Sequence, residues 1–296
     1  MRQAFINTLI ELADTDKNIW LLTADMGFGL VEPFAEKFPK RYINVGVAEQ
    51  NMIGVATGLA LEDKRVFCYS IGNFPTMRCL EQIRNDICYH NLPVCIVSGG
   101  AGLWYGNLGM SHWALEDIAV MRCLPNMAVV SPKDAEDTTR LINLIYRLGQ
   151  TSYLRMTRTA IDTGKPTGNY IAPEIALITT GGQMYVNALE ASRKLESQGM
   201  QTLVINVSTL KPLSQSLARS AADDAKLVVT IEEHSKIGGL GSAVAEVLAG
   251  LRQHPPLVRL GTDDHYSTTA MSYEELLKAN HLDVGGIVQE VLDALH

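Results

Sequence analysis

The run NVGVAEQNMIG, residues 44 to 54, sets one carboxylate, Glu49, among residues that are otherwise small or apolar apart from three amides. Met52, Val55, Ala56 and Leu59 recur at i, i+3, i+4 and i+7, so Glu49 falls in the first turn of a core helix that follows a short strand. Two readings stand side by side. An acid in a first turn complements the helix dipole. A carboxylate surrounded by Gly46, Ala48, Gly54, Ala56 and Gly58 beyond a strand end is also able to hydrogen-bond or protonate a heterocycle that approaches the backbone closely. In SIGNFPTMRCLEQIRNDI, residues 70 to 87, Phe74 lies at the turn before a helix with Pro75 near its start. It reads either as a core staple or as a flat apolar face for an aromatic ring.

A third candidate lies in SGGAGLWYGNLGMSHW, residues 98 to 113, a Gly-rich loop that leaves a strand and enters a helix. Loops of that length without structure of their own usually carry function. His112 is the side chain there suited to moving protons near neutral pH, although a lone histidine also serves structure. TIEEHSKIGGLGSAVAEVL, residues 230 to 248, offers a G-x-G between strand and helix, but Val244 stands where a dinucleotide fingerprint has its third glycine. Glu232, Glu233 and His234 read instead as an interface or loop-anchoring cluster.

The elements that must position these residues follow from pattern. Short runs rich in Val, Ile, Leu and Tyr alternate with longer amphipathic segments, which predicts α/β architecture built on mainly parallel sheets with helices on both faces. Strands are expected near Ile19 to Thr23, Tyr42 to Val45, Val66 to Ser70, Val94 to Ser98, Met127 to Val130 and Tyr153 to Met156. A helix with Ser131 as N-cap and Pro132 at its first position is expected to end at Gly149. Residues 161 to 173 lack periodicity and read as a linker between a domain of residues 1 to 160 and a smaller one of residues 174 to 296. In the second, strands are expected near Ile175 to Thr180, Thr202 to Val207, Leu227 to Ile231 and Leu257 to Leu260.

Composition narrows the partners. A formal net charge of -7 without a dense Lys/Arg block argues against nucleic acid and anionic membranes. Five scattered cysteines with no C-x-x-C pair predict buried reduced thiols and a cytoplasmic setting.

Taken together, KRYINVGVAEQNMIGVATGLAL, LEQIRNDICYHNLPVCIVS, GMSHWALEDIAVMRCLPNMAVVSP and VTIEEHSKIGGLGSAVAE resemble, in order and spacing across nearly the whole chain, the C-terminal half of transketolase, a half that some organisms make as a separate subunit. The resemblance implies a pyrimidine-binding domain followed by a C-terminal domain. It implies that Glu49 is the acid that hydrogen-bonds the aminopyrimidine of thiamine diphosphate and favours the tautomer that deprotonates the thiazolium carbon. Phe74, with Ile71 and Met77 at positions aromatic in many relatives, then belongs to the pyrimidine pocket. His112 matches the family's G-x-[ST]-H histidine, which contacts substrate oxygens. Arg158 falls at a phosphate-contacting position, and Asp25 and Trp113 at the substrate end.

The family's G-D-G and the asparagine that follows it, which hold Mg²⁺ and the diphosphate, have no counterpart here. The resemblance therefore implies a diphosphate-binding partner subunit supplying the metal ligands, most simply in an α2β2 heterotetramer. Where split transketolases read HAGITVGEDGASHQ, this chain reads GAGLWYGNLGMSHW. Gly100 replaces a substrate-binding histidine, Asn107 and Leu108 replace a Glu-Asp pair, and Trp113 replaces Gln. The expected reaction is transfer of a two-carbon ketol unit from a ketose to an aldehyde acceptor, with a non-standard sugar-type substrate. Three alternatives remain open: a 2-oxo acid decarboxylase or dehydrogenase beta subunit, a deoxyxylulose phosphate synthase-like condensing enzyme, and a non-catalytic scaffold subunit.

Overall fold

A computed structural model describes residues 1–158, 173–223 and 225–295. The expected linker therefore lies, except for Pro173, outside the described residues. The first sheet contains β1 (Ile19–Thr23), β2 (Tyr42–Asn44), β3 (Arg65–Ile71), β4 (Val94–Gly99), β5 (Ala128–Val130) and β6 (Ser152–Met156), all parallel, in the order β2-β1-β3-β4-β6-β5. The second contains β7 (Ile175–Thr179), β8 (Thr202–Asn206), β10 (Leu227–Ser235) and β11 (Leu257–Thr262), also parallel, in the order β11-β10-β7-β8.

Why these segments are strands is visible in β3. Val66 and Cys68 point into one apolar cluster while Phe67 and Tyr69 point into another, so both faces are covered and the sequence reads as a continuous apolar run. Phe5, Leu9 and Leu141 close one face of the first sheet. On the other face, Met52, Ile53 and Ala56 of the helix Glu49–Leu61 join a core that continues into the second domain through Ala176, Val228 and Val244.

Four features differ from the sequence expectation. Strand β9 (Thr209–Lys211) is not expected from the sequence; it lies beyond β8 in the chain yet pairs antiparallel with β5, extending the first sheet to seven strands. Its run Thr-Leu-Lys holds a single apolar side chain, too little for a periodic signal. The helix expected from Ser131 begins at Ala135, because Asp134 is extended and its side chain accepts from the Asp137 N–H, while Ser131 donates its N–H to the Ser208 carbonyl. Its predicted end at Gly149, left-handed at φ 59, is as found. The loop 98 to 113 has structure of its own: turns of 3₁₀ helix at Gly106–Leu108 and Met110–His112, and an antiparallel bridge between Gly102 and Ala114. Finally, Cys68, Cys79, Cys88 and Cys95 are buried free thiols, but Cys123 is exposed. Among the described residues, no helix is long and apolar enough to cross a membrane.

Candidate active site

All six parallel strands of the first sheet end on one edge, and the candidate residues leave from there. Asp25 follows β1, Glu49 follows β2, Phe74 follows β3, Gly100 follows β4 and Arg158 follows β6. The order β2-β1-β3 sends the connections after β1 and β3 to opposite sides, which opens a crevice at that edge.

Glu49 opens its helix and is 2% exposed. A carboxylate so deprived of water needs a partner. Arg78 supplies it, with Nη1 2.6 Å from Glu49 Oε2, and its guanidinium lies 4.7 Å from the centre of the Phe74 ring. Arg78 is four residues beyond Phe74 on the turn that runs into the next helix, and its own side chain is 46% exposed. Sequence reasoning overlooked it, though the cation four positions past the candidate aromatic was a usable signal. Ile71 is buried and Met77 exposed at the same strand-to-helix turn. Gly72 makes that turn at φ 53, so close to the loop opposite that a Cβ there would stand 2.5 Å from the His112 carbonyl oxygen. Phe74 meets the His112 imidazole edge-on at 5.3 Å between ring centres. Glu49, Arg78, Phe74 and His112 thus form one contiguous patch: buried acid, cation, flat apolar face and imidazole.

The substrate end is less uniform. Tyr105 also approaches His112, ring centres 6.3 Å apart, and its ring covers Gly100, where a Cβ would stand 2.5 Å from it. Burial pushes its phenol up from the ordinary range. Trp113 does not face the crevice: it is 4% exposed, packs with Leu103 and Tyr273, and donates Nε1–H to the Gly106 carbonyl at 3.2 Å. Asp25, left-handed at φ 53, is held by Asn44, which accepts from its backbone N–H at 2.9 Å and donates to its carboxylate at 3.2 Å. Arg158 is 44% exposed and paired with Glu274 at 3.0 Å.

The Glu-Glu-His run anchors loops. Glu232 accepts from the N–H groups of Leu240 and Gly241 at 2.6 and 2.8 Å, and His234 Nε2 accepts from Ala119 N–H at 3.2 Å. Burial pushes the carboxyls of Glu232 and Glu233 up. Nearby, Arg155 and Asp117, both fully buried and 2.7 Å apart, tie β6 to the helix after the Gly-rich loop. Among the described residues, no group of three or more His, Cys, Asp or Glu side chains is disposed to hold a metal ion.

A buried acid at a helix start, beside an aromatic face at the ends of parallel strands, offers a planar nitrogen heterocycle a hydrogen-bond partner and a stacking surface. The chain matches the transketolase pyrimidine binding domain over residues 1–163 and the transketolase C-terminal domain over residues 171–287. It belongs to the transketolase family of thiamine diphosphate-dependent transferases. It is 37% identical to a transketolase C-terminal section of Methanocaldococcus jannaschii, across 100% of this chain and 96% of that protein. It is 33% identical to one subunit of the apulose-4-phosphate transketolase of Phocaeicola vulgatus, covering 99% and 96%. Among solved structures it resembles a split-gene transketolase described as an inactive beta4 tetramer, with a TM-score of 0.85 and 35% identity over 99% of this chain and 97% of that one.

Proposed function

We propose that this chain, divided into domains of residues 1–160 and 174–296, is the pyrimidine-side subunit of a two-component enzyme that moves a two-carbon ketol unit from a non-standard sugar-type ketose to an aldehyde. The observation that carries the reading is the Glu49, Phe74 and His112 patch: a buried carboxylate beside an aromatic face fits the aminopyrimidine end of thiamine diphosphate. Glu49 would hold the ring nitrogen by a charge-assisted hydrogen bond, strong because the site is dry, and Phe74 and Ile71 would pack its faces, with Met77 at the rim. Bound there, the cofactor supplies the nucleophilic carbon of ketol transfer. His112 moves protons at the substrate oxygens, and Arg158 and Asp25 bind the substrate's far end. Trp113 supports the loop from behind.

The remaining half of the site belongs to a partner subunit that supplies Mg²⁺ and its ligands, most simply in an α2β2 heterotetramer in the cytoplasm. Support for a partner comes from the open face of the helix Glu49–Leu61. Around Gly54 and Gly58 a Cβ would meet nothing within 4 Å, and Val47 and Leu61, 75% and 60% exposed, flank them. An open face of that kind, with exposed Gln50 and Asn51 between the two apolar side chains, suits a closely approaching surface. The sugar reading draws on the apulose-4-phosphate relative and on Tyr105 occupying the room beside Gly100.

The test is to co-purify the complex, supply thiamine diphosphate and Mg²⁺, and assay ketol transfer. Rates with xylulose 5-phosphate and ribose 5-phosphate well below those of an ordinary transketolase are expected. Ordinary rates would refute the non-standard substrate, and carbon dioxide release from pyruvate would favour a decarboxylating or condensing enzyme instead.

A further inference from the structure

We infer that the second domain forms a working wall of the site, with Tyr273 and Glu233 as positioning residues that fix the loop bearing His112 and the guanidinium of Arg158 together. The inference rests on the reading that His112 and Arg158 face the substrate. Tyr273, 6% exposed, does two things with one side chain. Its hydroxyl donates to Glu233 Oε1 at 2.7 Å, and its ring face lies 4.8 Å from the Arg158 guanidinium carbon. The second Glu233 oxygen, Oε2, accepts from the Leu103 N–H at 3.1 Å. The carboxylate is thus divided between an aromatic that supports Arg158 and the entry of the Gly-rich loop.

The neighbouring backbone is shaped for this contact. Gly102, at φ 74, lies where a Cβ would be 2.5 Å from Glu233 Oε2, and at Gly106 a Cβ would be 2.7 Å from the Met271 carbonyl oxygen. Trp113, next to His112, closes the loop on itself through the Gly106 carbonyl. The chain of contact runs from β10 to Leu103 and from Met271–Tyr273 to Gly106, then to Trp113 and His112, and in parallel from β10 through Tyr273 to Arg158. A proton-handling group and an anion-binding group are held by one buried carboxylate. Displacing such groups by about 1 Å is worth about a hundredfold in rate. Glu274, beside Tyr273, pairs with Arg158 in the open and is within reach of competition from an anionic substrate end.

The two arms of Tyr273 separate by substitution. Tyr273→Phe removes the hydroxyl and keeps the ring; Tyr273→Leu removes both; Glu233→Gln weakens the loop anchor and leaves the ring. The first measurement is hydrogen–deuterium exchange of residues 100–113 in the purified chain, which reports the clamp whether or not the protein is a transketolase. Tyr273→Phe and Glu233→Gln are expected to speed exchange there at least about tenfold while the helix Arg2–Thr15 is unchanged. Unchanged exchange in both variants overturns the clamp. The second uses the reconstituted complex with hydroxypyruvate as donor and either glycolaldehyde or glyceraldehyde 3-phosphate as acceptor. Tyr273→Phe is expected to lower kcat with both acceptors by about tenfold and to leave their KM ratio alone. Tyr273→Leu is expected also to raise KM for the phosphorylated acceptor selectively, about tenfold. A Tyr273→Leu variant that loses activity equally with both acceptors, or a Tyr273→Phe loss that is fully accounted for by a lowered melting temperature, would show a structural role and refute positioning. An inactive unaltered complex would count against the proposed function, and the exchange result would still decide the clamp.

Discussion

Arg78 places Nη1 2.6 Å from Oε2 of Glu49, so the most buried acid of the crevice is neutralised by a cation that is itself half in solvent. The pair explains how a carboxylate with 2% exposure survives on this surface. It also leaves the acid approachable from the side on which Arg78 is open, because a surface guanidinium is easily moved whereas a core partner is not.

Glu49→Gln preserves shape and removes the charge. In the reconstituted complex it is expected to lower kcat/KM by at least about a hundredfold, in the range of a lost acid–base contact, while thermal unfolding of the purified chain stays near the parent. Steady-state kinetics and a melting curve check both halves; full activity would return the chain to the scaffold reading.

Gly72→Ala tests the packing of the two loops that carry Phe74 and His112. The new methyl would press on the His112 carbonyl oxygen from 2.5 Å at a backbone φ of 53. Strain of about 1–3 kcal/mol is expected, seen as a lowered melting temperature, with kcat falling further than KM rises.

The buried pair Arg155 and Asp117 predicts a large stability effect with no direct chemical role. Arg155→Met leaves Asp117 buried without its cation, next to the Tyr153 hydroxyl that donates to it at 2.5 Å. A loss of about 3–5 kcal/mol in urea unfolding is expected, and a double variant Arg155→Met with Asp117→Leu should recover much of it.

Glu233 gives a pH signature. Burial, acting against the Tyr273 hydroxyl, Arg155, the Leu103 N–H and Arg158, holds its carboxyl above the ordinary value in the folded chain. The folded state therefore binds its proton more tightly than the unfolded state. The stability this contributes is fully present below the unfolded value and is lost as pH rises through the raised one. The parent minus Glu233→Gln difference in melting temperature should fall as pH rises from about 4 towards neutrality. A flat or rising difference would contradict the assignment.

Thiol titration distinguishes the cysteines. Burial raises Cys79 to about 12 and Cys88 to about 11, and Cys68 and Cys95 are buried too, whereas Cys123 is exposed. One thiol of five is expected to react rapidly with a thiol-specific reagent in the folded chain, and a Cys123→Ser variant should lose that phase.

Legibility differed between fold and site. The sequence by itself determined the ten parallel strands, because strands covered on both faces carry short apolar runs such as the Val-Phe-Cys-Tyr of residues 66 to 69. It also singled out Glu49 as a candidate, since a lone acid among glycines and alanines at a strand end is a local pattern. What it did not contain was every relationship that crosses the chain. Strand β9 joins β5 by backbone bonding that leaves little side-chain signal. Arg78 meets Glu49 across 29 residues, and Tyr273 meets Glu233 across 40. Trp113 turns inward rather than toward the crevice because the second domain offers an apolar surface and the Gly106 carbonyl offers an acceptor. Periodicity records which side of an element is buried; only the tertiary structure decides what it is buried against, because that depends on how separate elements dock.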